Sequence, residues 1–173
     1  EGVTDQVVEV AANGFERAGY AFVGWNTAAD GSGQAYAAGA GYALTAGDDA
    51  LFAQWTANDG TAYTVNHYKV NAAHTAATLA NAENLKATTD ASVSATPQTI
   101  PGYTYQPLFD ENDMKTVASG TVAGDGSLVL NLYYTPDADA LAYHANGGQG
   151  TMAATEGVTD QVVEVAANGF ERA

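Results

Sequence analysis

Short runs of alternating apolar and polar positions in the first third of the chain predict strands. The runs QVVEV, GYAFVGW and ALFAQW, at positions 6–10, 19–25 and 50–55, are rich in β-branched and aromatic residues, and Asn, Asp, Ser and Gly separate them. Strict alternation in GYAFVGW places Phe22 and Trp25 on opposite faces of one strand. We therefore expect that strand to be covered on both faces.

The middle of the chain has the clearest period of two. Residues 62–70 (AYTVNHYKV) predict a strand, and TTDASVSAT at 88–96 predicts a more exposed one. The Ala-rich segment between them, 71–84, contains Thr and Asn residues that are weak helix formers, and it has no evident cap. Both a helix and a non-helical segment remain open there.

An Asp-Gly pair at 125–126 lies between two further alternating runs, 115–122 and 127–134, and predicts a β-hairpin. The second run places alternate residues on one face, which we expect to form a core: Leu128, Leu130, Leu132 and Tyr134. Residues 136–139 (PDAD) predict a stiff acidic linker, and a further strand is expected at 141–145.

The first eighteen residues, EGVTDQVVEVAANGFERA, return unchanged as residues 156–173. The offset is 155 residues, so the chain holds one full period of a tandem array and the opening of the next. A period of this length favours an array of whole domains, because units that need stacked neighbours run to about 20–50 residues. We expect two small modules per period, with a boundary near residues 57–60.

Charge and composition narrow the classes of function. The chain has 20 Asp and Glu against 5 Lys and Arg, and its net charge of −15 repels phosphate backbones and anionic membranes. The sequence therefore predicts neither a nucleic-acid nor a membrane partner. Cysteine is absent, which excludes disulfides and thiolate metal sites. We expect any secretion signal or wall anchor to lie in a longer polypeptide.

Three segments resemble the Listeria–Bacteroides repeat, also called the internalin B-repeat. They are GYAFVGWNTAADGSGQAY at 19–36, LFAQW at 51–55 and AYHANGGQGTM at 142–152. The chain departs from the family pattern at Phe52, where Tyr is usual, and in the long segment 156–171. The resemblance implies a small β-grasp-like module of secreted bacterial surface proteins, which serves as a stalk or adhesive repeat.

A second resemblance covers the middle of the chain. YTVNHYKV at 63–70, PGYTY at 101–105 and ASGTVAGDGSLVLNLYY at 118–134 are similar to the mucin-binding-protein-like (MucBP-like) repeats of bacterial surface adhesins. Those modules are also β-grasp-like in their family. This similarity implies a second module of the same class in each period.

Together these features predict a mainly β chain of small α+β, β-grasp-like modules, two in tandem per 155-residue repeat, arranged as an elongated rod. Residues 1–57 are expected to be the C-terminal part of a B-repeat-like module, 62–135 a MucBP-like β module, and 141–173 the N-terminal part of the next B-repeat-like module. Since 141–173 lacks its second half, we expect it to complete a sheet in an adjacent chain by strand addition, or to belong to a continuous fibre.

Candidate chemistry is sparse. The chain has no GxSxG, HExxH or P-loop pattern, and its histidines, His67, His74 and His144, are scattered. Structural or surface roles are favoured for them over metal or acid–base roles. The acidic run 110–113 offers oxygen ligands for calcium but lacks EF-hand spacing, so a solvated turn is favoured. We predict no enzyme activity, no cofactor, and no catalytic or metal-binding residues.

Two alternatives concern lysines and aromatic residues. Lys69, Lys86 and Lys115 are candidates for Lys–Asn isopeptide bonds, Lys69 with Asn66 or Asn131, although surface roles are favoured. The aromatic residues are candidates for a sugar-binding platform, but small modules need them to build a core. That set is Tyr20, Phe22, Trp25, Tyr36, Trp55, Tyr103 and Tyr105.

The predicted function is a structural stalk or adhesive repeat of a long bacterial cell-surface protein or fibre, extracellular, which extends a distal binding region. The alternative is a repeat that itself binds a host glycoprotein or glycan and gains avidity from copy number. The expected partners are neighbouring copies of the same repeat and, in the alternative, a host glycan or glycoprotein.

Overall fold

The structure is a computed structural model that describes residues 6–172. Within that range the chain is mainly β, as its alternating pattern predicts, and contains no helix. The strands are β1 Val7–Glu9, β2 Tyr20–Asn26, β3 Ala35–Tyr36, β4 Gly41–Ala43, β5 Phe52–Ala57, β6 Thr61–Val70, β7 Ala77–Ala87, β8 Ser92–Ser94, β9 Tyr103–Tyr105, β10 Asp110–Glu111, β11 Met114–Lys115, β12 Ser119–Thr121, β13 Val129–Pro136, β14 Ala138–Leu141 and β15 Thr155–Val158.

Backbone contacts divide the described chain into two compact units. The first contains residues up to 63 together with 86–92 and 121–128, and the second contains 64–85, 93–120 and the residues from 129 onward. Each unit therefore combines segments that are distant in sequence. The module limits expected from the resemblances, 1–57, 62–135 and 141–173, stay a prediction.

The first unit contains two small antiparallel sheets. One has the strand order β3-β2-β5, and the other pairs β1 with β4. The predicted strands at 6–10, 19–25 and 50–55 are thus confirmed as β1, β2 and β5, with ends shifted by one or two residues. Strands β3 and β4 lie in the Gly-rich region between them.

A β-bulge between Phe22 and Gly24 corrects the prediction that Phe22 and Trp25 face opposite sides of β2. A bulge adds one residue to the alternation, so positions after it change face. The rings of Phe22 and Trp25 meet edge to face with centroids 5.3 Å apart, and the Phe22 ring lies 5.7 Å from that of Trp55. Val23, at the bulge, is 62% exposed. One aromatic cluster therefore replaces the two covered faces.

Thr89 closes the first unit at a point where two backbones approach. Its side chain is buried, its backbone N–H donates to Asn58 O at 2.8 Å, and its hydroxyl donates to Gly19 O at 2.8 Å. Beside it a Cβ at Gly19 would overlap the backbone of Gly124, and Gly19 has φ +78°. Glycine is therefore required at position 19 both for space and for conformation.

The second unit is built on the sheet β7-β6-β13-β9. Strands β6 and β13 are parallel, with Val65 opposite Leu130 and His67 opposite Leu132, and β9 is antiparallel to β13. The predicted period of two in residues 62–70 is confirmed, because alternate side chains of β6 are buried. The predicted core face is confirmed for Leu130, Leu132 and Tyr134 of β13, which are fully buried, whereas Leu128 precedes the strand and is half-buried.

The hairpin predicted around Asp125-Gly126 is wrong, although its turn is present. Gly126 N–H donates to Ala123 O at 2.9 Å. Strand β12, however, pairs with β8, while β13 pairs with β6 along one edge and with β9 and Val117 along the other. The two arms leave the turn for different partners, because strand pairing depends on the whole unit and not on the turn alone.

Two other predicted segments also take different forms. The Ala-rich segment 71–84 is not a helix, since its second half belongs to β7. The linker predicted at 136–139 is part of the sheets: Asp137 N–H donates to Gly102 O at 2.8 Å, and β14 begins at Ala138. The strand expected at 141–145 accordingly starts earlier and ends at Leu141. Each segment takes its form from backbone partners elsewhere in the chain.

Candidate functional site

One amino-acid sequence occupies two places in this structure. We call residues 6–18 copy one and residues 156–172 copy two; residues 1–5 and 173, which complete the two repeats, lie outside the described residues. Equivalent positions differ by 155, so Val10 corresponds to Val165 and Asn13 to Asn168. Because the residues are identical, structural differences between the copies arise from their surroundings.

Copy one forms a strand because a second strand lies beside it. β1 pairs antiparallel with β4 over three residue pairs, from Val7 opposite Ala43 to Glu9 opposite Gly41. Small residues allow this approach, since a Cβ at Gly41 would already lie 3.0 Å from Cγ1 of Val7. We call residues 39–43 the seat, because copy one rests on them.

Val10 is the most buried residue of copy one, with 5% of its surface exposed. Its N–H donates to Ala40 O and its carbonyl accepts from Gly39 N–H, both at 2.8 Å, so the pairing continues past the end of β1. The carbonyl of the next residue, Ala11, accepts a hydrogen bond from Trp25 Nε1 at 3.1 Å. Hydrogen bonds to the seat and to Trp25 thus hold the backbone of copy one at Val10 and Ala11, and the side chain of Val10 is buried.

Copy two is held differently. Its opening residues belong to β15, which pairs with β14. Residues 161–165, which repeat the sequence of 6–10, form no strand. Val162 and Val165 are 98% and 68% exposed, whereas the equivalent Val7 and Val10 are 66% and 5% exposed. Val10 is therefore covered in copy one while its equivalent Val165 is open to solvent, whereas Val7 and Val162 are exposed in both copies.

Asp160 holds the start of copy two. Its carboxylate accepts hydrogen bonds from Lys69 Nζ at 2.7 Å and from the Tyr103 hydroxyl at 2.8 Å, and Lys69 Nζ lies 4.3 Å from the centroid of the Tyr103 ring. The hydrogen bond from Lys69 lowers the pKa of Asp160, and the same bond raises the pKa of Lys69. Sequence reasoning missed this cluster, because its members are far apart in the chain and form no local motif. The equivalent residue of copy one, Asp5, lies outside the described residues.

The segment that precedes copy two holds its middle part. Ala166 N–H donates to the Tyr143 hydroxyl at 2.8 Å, and Gly169 N–H donates to the Met152 sulfur at 3.2 Å. Backbone bonds in both directions, at 2.7 and 2.9 Å, join Gln149 to Glu171. These contacts place residues 166–171 without covering Val162 or Val165.

The Asn-Gly-Phe turn is shared by both copies. In copy one Asn13 donates from Nδ2 to Phe15 O and accepts from Phe15 N–H, each at 2.9 Å. In copy two Asn168 makes the same two bonds with Phe170, at 3.1 and 3.0 Å. An asparagine side chain bonds its own neighbouring backbone, so this turn forms in both surroundings.

The three histidines lie apart from one another. His67 is fully buried, its Nδ1 lies 2.7 Å from the Tyr134 hydroxyl, and burial lowers the pKa of His67. His74 Nδ1 lies 2.9 Å from a carboxylate oxygen of Glu111, and His144 is exposed. Across residues 6–172 no group of three or more His, Cys, Asp or Glu is arranged to hold a metal ion.

The acidic run 110–113 forms the small hairpin β10–β11. Asp110 pairs with Lys115 at 2.6 Å, and the two residues at the tip, Asn112 and Asp113, have φ of 48° and 62°. Asn112 Nδ2 donates to His74 O at 2.7 Å. The exposed turn predicted from the sequence is therefore present.

The hydrogen bonds described for the side chains of Lys69 and Lys115 are to aspartates and not to asparagines. Lys69 pairs with Asp160, while Asn66 Nδ2 donates instead to Asn131 Oδ1 at 3.1 Å. Lys115 pairs with an aspartate and Lys86 is exposed. The alternative partners considered for Lys69 thus bond each other.

Most aromatic candidates for a sugar platform pack against other rings, but one groove keeps aromatic surface open. Its volume is about 470 Å³, and its most exposed aromatic residue, Phe15, is 63% exposed and was not in the predicted set. The Arg17 guanidinium lies 3.7 Å above the centroid of the Tyr20 ring. The groove is lined by Asn13, Phe15, Glu16, Arg17, Ala18, Tyr20, Phe22 and Trp55.

No protein-family model, no curated protein and no solved structure matches this chain. Over residues 6–172 no helix is long and apolar enough to cross a membrane. The repeat and the geometry of its two copies are therefore the evidence that bears on function.

Proposed function

We propose that the chain is a structural stalk or adhesive repeat of a long, extracellular bacterial cell-surface protein. The observation that carries this proposal is the unchanged return of eighteen residues after 155 positions. Folded units in series keep a chain extended with a smaller loss of conformational entropy than a disordered stalk of equal reach. The bacterial surface origin, and the β-grasp-like character of two modules per period, are what the resemblances imply.

The different contacts of the two copies support this proposal. Copy two is held at its start by the second unit, through β15 and Asp160. Copy one is held over residues 7–11 by the seat and Trp25, in the first unit. In a tandem array, one copy would make both sets of contacts, with the end of one period and with the beginning of the next. Such a junction contains no free linker, which limits bending between periods.

The net charge supports an extended arrangement as well. At −15 per chain, parallel stalks repel one another over distances comparable with the screening length, about 8 Å at physiological salt. Repulsion of this kind keeps neighbouring molecules apart and soluble.

Small-angle X-ray scattering on chains of one, two and three periods tests the stalk. We expect the maximum dimension to rise by an equal increment with each period. A compact protein would instead grow roughly as the cube root of its length, and that result would contradict the proposal. As a matched control, a flexible Gly/Ser insert after Asp160 in the two-period chain should broaden the distribution of distances and leave the number of folded units unchanged.

The open groove at Phe15 favours a second candidate function, multivalent binding of a host glycan or glycoprotein. Aromatic surface beside Glu16, Arg17 and Asn13 offers both stacking and hydrogen bonds to a sugar. A glycan array probed with one and with three periods tests it: binding that grows with copy number, and that in the 173-residue chain is lost in Phe15→Ala but not in Phe170→Ala, supports the alternative. If no glycan binds at any copy number, the alternative is contradicted and the stalk remains the proposed function.

A further inference from the structure

His67 is a buried polar side chain to which the proposed function gives no role. It lies on β6 in the second unit, and none of its surface is exposed. Its Nδ1 lies 2.7 Å from the Tyr134 hydroxyl, and its Nε2 has no hydrogen-bond partner among residues 6–172. A buried polar atom without a partner costs free energy, and the cost is larger when the group is charged. The protonation of this ring is therefore coupled to its surroundings.

The hydrogen bonds of Tyr134 determine which nitrogen of His67 carries the proton. The backbone N–H of Gln98 donates to the Tyr134 hydroxyl at 2.9 Å, so the hydroxyl oxygen is an acceptor in that bond. Tyr134 is fully buried, and Nδ1 of His67 is the acceptor within reach of its hydroxyl hydrogen. Neutral His67 thus accepts at Nδ1 and is protonated at Nε2.

Gln98 joins a loop to the sheet of the second unit through this same hydroxyl. Its side chain also accepts from Asn81 Nδ2 at 3.1 Å and donates from Nε2 to a carboxylate oxygen of Glu83. Both of these residues lie on β7, which neighbours β6. Residues 96–99, between β8 and β9, form no strand. We call residues 96–99 the clasp, because Gln98 connects them to β7 and β13.

We propose that the clasp opens when His67 is protonated in mildly acidic solution. A proton at Nδ1 takes away the acceptor of the Tyr134 hydroxyl hydrogen, and it leaves a buried positive charge whose Nε2–H has no acceptor. Opening of the clasp admits water to the ring and relieves both costs. The second unit thus loosens beside β7 in acid while its sheet persists. This inference does not depend on the stalk or adhesive function.

The charged and titratable groups around His67 do not cancel the cost of protonating it. Burial lowers the pKa of His67, and the Glu83 carboxylate raises it by a smaller amount. The rings of Tyr134 and Tyr105 lie 5.5 Å apart, and burial raises the pKa of both hydroxyls, so they stay neutral in mild acid. The ammonium of Lys69, two positions further along β6, is held in the ion pair described above.

The direction of the pH dependence follows from the lowered pKa. In the open form His67 titrates near its ordinary pKa of 6.5, whereas in the closed form its pKa is lower. The closed clasp is therefore fully favoured above pH 6.5, and it loses stability as the pH falls from 6.5 toward the lowered pKa. Between about pH 7.5 and about pH 5.5 the ratio of open to closed chains should rise about five- to tenfold.

Amide hydrogen exchange of the full chain, followed by NMR, tests the clasp. The protection factor of the Gln98 amide, referred to the intrinsic exchange rate at each pH, should fall about five- to tenfold over that range. It should also be lower than that of Leu132, which lies on β13 opposite β6, because the sheet stays intact. A Gln98 protection factor that does not fall, or that equals that of Leu132 at both pH values, would overturn the proposal.

Matched histidine variants assign the effect to one ring. In His67→Gln the side chain does not titrate and still offers an oxygen to the Tyr134 hydroxyl, so the fall at Gln98 should disappear. In His74→Gln, at a ring that pairs with Glu111 instead, the fall should remain. An equal fall in the two variants would contradict the proposal.

Nitrogen-15 NMR of the imidazole rings in the unmodified chain gives a second measurement, which does not require the variant to fold. We expect His67 at about pH 7.5 to be neutral and protonated at Nε2, and to titrate below its ordinary pKa. A neutral ring protonated at Nδ1, or a His67 that titrates at or above its ordinary pKa, would overturn the proposal.

Discussion

Residues 7–9 and residues 162–164 both read VVE, and only the former are a strand. The difference lies in their neighbours: the seat pairs with copy one, while copy two is anchored at Asp160 and from Ala166 onward. A strand needs hydrogen-bond partners outside its own segment, so identical residues without them stay irregular. The comparison teaches that the strand propensity of this segment allows it to form a strand, and that a neighbouring strand determines whether it does.

The Asn-Gly-Phe turn gives the opposite result. Its two hydrogen bonds are the same in copy one and copy two. The donors and acceptors of this turn all lie within three consecutive residues, so the turn needs no partner from another segment. Within one sequence, the turn is thus determined by local contacts, whereas the strand is determined by contacts with other segments.

The largest expected difference between the copies concerns Val10 and Val165. Val10→Ala should lower the free energy of unfolding of the first unit by about 1–3 kcal/mol, because the side chain is buried. Val165→Ala should change it by less than about 0.5 kcal/mol. Urea denaturation followed by tryptophan fluorescence measures this, since both tryptophans, Trp25 and Trp55, lie in the first unit. Equal effects of the two substitutions would break the comparison.

The shared turn predicts a smaller and symmetrical effect. Asn13→Ala and Asn168→Ala should each weaken their local turn by about 0.5–1 kcal/mol, which corresponds to roughly two- to fivefold faster amide exchange. The amides to follow are those of Phe15 and Phe170, which donate to the two asparagines. A strong effect at one site only would mean that the turn, too, depends on its surroundings.

The smallest expected effect is electrostatic and confined to copy two. The pKa of Asp160 lies below its usual 3.8 because Lys69 and Tyr103 donate to it, so its contribution to stability is present above that value and is lost as pH falls through the lowered pKa. The pKa of Lys69 is raised, so its contribution is lost as pH rises through that raised value. The Lys69–Asp160 ion pair therefore contributes to stability at pH values between the lowered pKa of Asp160 and the raised pKa of Lys69.

Carboxyl NMR titration checks this assignment. Lys69→Met should raise the pKa of Asp160 toward its usual value, whereas Lys86→Met, at an exposed lysine, should leave it unchanged. High salt should reduce the difference, because the side chain of Asp160 is 62% exposed. Equal pKa values of Asp160 in the unmodified chain and in Lys69→Met would show that Lys69 does not stabilise the charged form of Asp160.

Features with a local cause were predictable from the sequence. The strand at 62–70 and the core face of β13 follow from alternation, since one buried face imposes a period of two. The hairpin, the linker and the two faces of β2 were predicted wrongly. In each case a non-local partner decided: β8 for β12, Gly102 for Asp137, and β5 beside the bulge of β2.

The candidate site divides in the same way. The repeat itself, and hence the candidate segment, was evident from the sequence. The seat was not, because the Gly-rich residues 39–43 have little strand propensity, and β4 within them is paired with copy one. The Lys69–Tyr103–Asp160 cluster was not evident either, since three distant segments must fold before these side chains meet.

The sequence by itself determined the period of 155 residues, the acidic surface charge, the mainly β character and the Asn-Gly-Phe turns. Tertiary structure alone decided which copy becomes a strand, which valines are buried and which carboxylate meets a lysine. The physical reason is the range of the interactions. Alternation and side-chain turns are set within a few residues, whereas a strand obtains its hydrogen bonds and its apolar cover from segments that only the folded chain brings beside it.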